Sequence, residues 1–112
     1  MKTFTDYFGG PPADFGLNDA AADWLLSRIA VFAKRGLALT DVSAVTLPDG
    51  RRCASLTFRS KVRIWTLLAS GDPFGRGDSL LLQLDHAPAI PAGTKQGDWN
   101  SLWRFVLETE GL

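Results

Sequence analysis

The sequence predicts an α+β domain, an antiparallel β-meander of three to five strands with an N-terminal and a C-terminal helix packed on one face. Three observations predict it. Apolar residues recur at helical spacing near both ends, over 19–35 and 98–109. Between them, residues on either side of Pro48-Asp49-Gly50 follow a strand-like pattern, with clear two-residue alternation after the turn. At 112 residues the chain has room for one core and not two.

Residues 1–17 form an aromatic arm, in which Phe4, Tyr7, Phe8 and Phe15 surround the helix-breaking run Gly9-Gly10-Pro11-Pro12. Buried aromatics usually belong to a protein's own core, so the arm is read as packing across the domain. The alternative is an arm that docks onto a partner or a second protomer. The first long helix has clear punctuation. Asn18 or Asp19 caps its start, Asp19 and Asp23 sit near its positive end, Lys34 and Arg35 near its negative end, and Gly36 stops it. Leu25, Ile29 and Phe32 recur along one face.

From Leu37 to Leu47 the chain turns to β, and Pro48-Asp49-Gly50 supplies the turn residues of a hairpin. In the run Arg51 to Arg59, Ala54, Leu56 and Phe58 fall on one face; Cys53, Ser55, Thr57 and Arg59 fall on the other. Residues 61–69 are read as a third strand, although Trp65, Leu68 and Ala69 also have helical spacing. Residues 70–78 read as a loop and Ser79 to Leu84 as a strand. Residues 86–97, with Pro88, Pro91 and Gly93, read as a connector. Asp98 caps a last helix with Trp99, Leu102, Trp103 and Val106 along one side. This order of elements is similar to that of frataxin-like domains, a likeness of topology alone, because their acidic ridge and any shared motif are missing.

Composition excludes several classes. Apolar residues make up 46% and charged residues 21%, the balance of a packed globular domain and not of a disordered one. Twelve basic and twelve acidic side chains cancel, so no global field draws the chain to nucleic acid or membrane. The single cysteine, Cys53, allows no internal disulfide. Asp6 falls where a signal peptide needs its apolar stretch, and the apolar segment Ala20 to Ala33 is too short to span a bilayer. The expected location is therefore cytoplasmic, with no membrane partner.

Catalytic and metal chemistry lack their parts. Cys53 and His86 alone cannot complete a Cys/His zinc site, and Asp72, Asp78 and Asp85 are spaced wrongly for a calcium loop. The Gly71 to Gly77 loop lacks the Gly-Lys-Ser/Thr ending that holds phosphate. Asp85 and His86 are neighbours on an extended segment, so they point apart and Asp85 is poorly placed to orient His86. The expectation is no enzyme and no cofactor; a small enzyme using His86 is the most remote alternative.

The basic stretch is the strongest positive signal. Arg51, Arg52, Arg59, Lys61 and Arg63 stand together with no acid among them. Were the segment continuously extended, Arg59, Lys61 and Arg63 would share one face beside Trp65. Cations beside an aromatic suit an acidic protein surface or nucleic-acid phosphates and bases. Acids elsewhere in the chain favour the protein. The bland reading is a solvated face that discourages edge pairing. Four tryptophans add candidate interface anchors. The sequence is thus read as a small protein-binding module that occludes a partner surface, of inhibitor, immunity or adaptor type. Phage or mobile-element antagonists such as anti-CRISPR proteins fit by size and by lack of catalytic parts. The alternative is a nucleic-acid-binding domain that uses the basic 51–63 strand region.

Overall fold

A computed structural model describes residues 3–48, 50, 52–71, 80–84, 89–92 and 99–111; for 80–84, 89–92 and 99–102 it describes the backbone. The elements are α1 (Phe4–Phe8), a 3-10 turn (Pro12–Phe15), α2 (Asp19–Lys34), β1 (Ala38–Thr46), β2 (Arg52–Arg59), β3 (Ile64–Ala69), β4 (Leu80–Leu84), β5 (Ala89–Ala92) and α3 (Trp99–Glu110). The five strands form one antiparallel sheet in chain order. No helix among the described residues is long and apolar enough to cross a membrane.

Helix α2 forms where its punctuation places it. Asn18 Oδ1 accepts from the Ala21 amide at 2.8 Å, satisfying one of the donors that a helix start leaves open. At the other end the Gly36 amide bonds the Ala33 carbonyl and the Leu37 amide reaches back to Phe32 at 2.8 Å, with Gly36 at φ 91°. This paired closure, with Leu37 and Phe32 both buried, aims the chain directly into β1.

In β2 and β3 the two-residue period sorts side chains by face. Ala54, Leu56 and Phe58 lie opposite Ala69, Leu67 and Trp65, and all six are buried. Helices α2 and α3 cover this face together. Phe32 meets Phe58 edge-on at 4.9 Å, Phe105 meets Trp65 edge-on at 6.1 Å, and Trp103 stacks on Phe32 at 6.5 Å. On the opposite face Ser55, Thr57, Ile64, Thr66 and Leu68 are half-buried, with the Thr57 and Thr66 hydroxyls 3.5 Å apart.

The aromatic arm packs internally. Phe4 and Phe8 stack at 3.9 Å, Phe15 sets its ring edge against both, and all three are buried in the same core as α2 and the sheet. Gly16 latches the arm to the sheet. A Cβ there would overlap the Arg52 carbonyl oxygen, and φ is +70°, so only glycine fits. The Gly71 amide donates to the Gly16 carbonyl at 2.7 Å, and the buried Ser70 hydroxyl donates to the Arg52 carbonyl at 3.0 Å.

Two elements differ from the sequence expectation. The arm opens with a short helix, α1, held by a reciprocal cap: Thr3 Oγ1 accepts from the Asp6 amide and Asp6 accepts from the Thr3 amide. Part of the expected connector 86–97 is strand β5, whose Leu82↔Ile90 and Leu81↔Pro91 pairings extend the sheet. Proline fits there because β5 is an edge strand. The β1–β2 hairpin is present, with Gly50 at φ 90° in its turn; Asp49, residues 72–79 and Asp98 lie outside the described residues, and with them most of the expected 70–78 loop and the expected cap of the last helix.

Candidate protein-binding surface

The basic stretch does not form one extended face. Residues 60–63 are the turn between β2 and β3, closed by the Ser60 amide donating to the Arg63 carbonyl at 2.9 Å. Ser60 Oγ accepts from the Val62 and Arg63 amides at 3.2 and 3.0 Å, so the serine side chain stabilises the bend from within. The turn separates the cations. Arg59 and Lys61 are exposed and make no ion pair among the described residues.

Arg63 points instead to the end of α3. Its Nη1 donates to the Thr109 carbonyl at 3.1 Å and to Glu110 Oε2 at 3.3 Å. Helix α3 has no basic residue in its own last turn, so Arg63 supplies the positive charge that its carbonyl end favours. The Glu110 side chain is 3% exposed and also accepts from the Trp65 indole N–H at 2.9 Å. Burial alone would raise the Glu110 carboxyl. Hydrogen bonds from Ser60, Trp65 and Arg63, with the charge of Arg63, outweigh it and hold the carboxyl below its ordinary range.

Trp65 is fully buried and offers no surface to a partner. It serves as a core residue with a satisfied indole, which corrects the expectation of an aromatic beside the cations. Arg52 lies elsewhere, with Nε donating to the Asp14 carbonyl at 2.8 Å, so it ties β2 to the arm. Arg51 and His86 lie outside the described residues, as do Asp85, Asp72 and Asp78. Cys53 is a buried thiol outside any disulfide.

What the turn exposes in place of Trp65 is apolar. Val62, at its tip, is 73% exposed, and Phe105 on α3 is 42% exposed. Val62 adjoins Arg63 in the turn, and the Phe105 ring meets Trp65, so each neighbours one of the two residues that hold Glu110. Sequence reasoning misses both. Val62 fits the alternating pattern of a strand, and Phe105 carries no signal that separates it from the apolar side of α3.

A second aromatic cluster lies between the helices. The Arg28 guanidinium is sandwiched by the Trp24 ring at 4.7 Å and the Trp103 ring at 4.6 Å. Trp103 continues onto Phe32, so the stack closes the core between α2 and α3 more than it presents a surface. Among the described residues no three of His, Cys, Asp and Glu come together as a metal site would need. The chain matches no protein-family model, no curated protein and no solved structure.

Proposed function

We propose that this chain is a small non-enzymatic protein-binding module, of inhibitor, immunity or adaptor type, whose contact surface is the β2–β3 turn with the adjoining flank of α3. Val62 and Phe105 supply apolar anchors, and Arg59 and Lys61 supply the charge that selects an acidic partner. The carrying observation is that, among the described residues, the exposed large apolar side chains are Val62, in the turn beside Arg63, and Phe105, whose ring meets Trp65, while Arg59 and Lys61 are exposed at the same turn. Apolar anchors with a charged rim are the anatomy of a protein interface. A nucleic-acid reading has less support, because Arg63 is neutralised by Glu110 and Arg52 faces the arm. Arg59 and Lys61 by themselves make a small footprint for a phosphate backbone.

The test is affinity capture by the wild-type protein in parallel with Val62→Asp and Phe105→Ser, each first shown to fold by circular dichroism. Capture of a protein by the wild type and its loss in both variants is the expected result. Equal capture by all three would overturn the assignment of the surface. Nuclease-sensitive capture would favour the nucleic-acid reading.

A further inference from the structure

Strand β1 has β2 as its one strand neighbour, and among the described residues no backbone pairs with its other edge. The two edges of the sheet are unlike. The far edge, β5, is four residues long and contains Pro91, which has no amide hydrogen to offer a further strand. By contrast β1 is nine residues long, carries one charge, Asp41, and is devoid of proline and lysine. Its ladder with β2 is irregular at Leu39/Asp41 and regular from Val42 to Thr46. Asp6 and Tyr7 of α1 stand beside Leu39 to Val42, whereas Ser43, Ala44 and Thr46 are exposed.

We infer that the Val42–Thr46 edge pairs with the same segment of a second copy of this chain, antiparallel about a two-fold axis at Ala44. In that register Val42 faces Thr46 of the other copy, matching β-branched side chains, and Ser43 faces Val45. Asp41 then meets the uncharged Leu47. A register centred on Asp41 would instead oppose two carboxylates, so charge disfavours that centre, and the Ala44 centre matches the β-branched residues. A two-fold axis normal to the sheet keeps the helices of both copies on one side and joins the two open faces. Among the described strands each copy then retains its β5 edge, and Pro91 gives that edge little to extend with. The pairing therefore closes as a dimer and does not propagate as a fibre.

The test uses the full chain. Sedimentation equilibrium from about 5 to about 500 μM should show a concentration-dependent dimer, across the range in which modest edge interfaces assemble. Ala44→Lys sets two ammonium groups against each other and should sediment as a monomer with an unchanged circular dichroism spectrum; Thr46→Lys serves as a second disrupting variant should the first fail to fold. Ala44→Cys should form an intermolecular disulfide on oxidation. Thr46→Cys should not, because its copies lie about 14 Å apart along the strands. A wild type that stays monomeric throughout overturns the inference and leaves the edge to a foreign strand or to none. A dimer that persists in both folded lysine variants overturns it equally, as does cross-linking of Thr46→Cys without cross-linking of Ala44→Cys.

Discussion

The indole N–H of Trp65 donates to Glu110 Oε2 at 2.9 Å across a sequence separation of 45 residues, and the same oxygen holds Arg63. One buried carboxylate thus joins the third strand, the turn before it and the end of the last helix. An acid at a helix C-terminus is ordinarily unfavourable. Here Arg63 offsets it, and the charge would be costly to bury without those donors.

Replacing Glu110 with Gln should destabilise the fold by about 1–3 kcal/mol, the range for breaking a buried charged hydrogen bond. The carboxyl lies below its ordinary value of 4.5 in the folded protein. Its contribution is therefore present above about pH 4.5 and is lost as pH falls through the lowered folded value. Urea denaturation between pH 7 and pH 3 should show a smaller acid loss in Glu110→Gln than in wild type. An identical pH dependence in the two proteins would contradict this.

Gly16 and Gly9 make a matched pair. Both have positive φ, +70° and +78°, but a Cβ at Gly9 meets nothing within 4 Å whereas one at Gly16 strikes the Arg52 carbonyl. Gly9→Ala should cost about 1–2 kcal/mol, the left-handed penalty alone. Gly16→Ala should cost more than twice that, because the arm must lift from the sheet. Chemical denaturation midpoints of the two variants measure the difference.

The arm belongs to the core, so its aromatic residues should act on stability. Phe15→Ala should lower unfolding free energy by about 3–5 kcal/mol, the range for deleting a buried ring. Thermal denaturation checks it; a change near zero would mean that the arm does not pack as the ring contacts indicate.

Binding kinetics should separate the two components of the proposed surface. Reversing Arg59 and Lys61 to Glu should slow association with an acidic protein partner and flatten its salt dependence. Truncating Val62 or Phe105 should mainly speed dissociation. Surface plasmon resonance at low and high salt, once the partner is captured, reads both effects.

Much of this fold is legible in the sequence because local signals agree with tertiary demand. Asn18 and Gly36 bound α2 where its apolar face begins and ends, and the alternation in β2 reports the one-sided cover of the sheet. Legibility fails where a single polar side chain decides the path. Ser60 turns the chain at a point where Lys61-Val62-Arg63-Ile64 continues to alternate, and its side-chain bonds have no signature in periodicity. Strand β5 is hidden by Pro91, which argues against a strand unless the strand is already known to lie at an edge. The surface escapes sequence reading for a related reason. Which aromatic is buried and which exposed depends on the docking of α3, a contact between residues far apart in the chain.

The Glu110 clasp also bears on the expected order of assembly. The β1–β2 and β2–β3 hairpins close over short spans, whereas the hydrogen bonds of Arg63 and Trp65 to the end of α3 bridge 45 to 47 residues. Non-local closures form late, after the entropy of the intervening loop has been lost. The hairpins can therefore exist while α3 is still detached, with the Trp65 ring wetted and its N–H bonded to water. Helix α3, tied down by such long-range bonds, should have amides that exchange with solvent before those of β2 and β3.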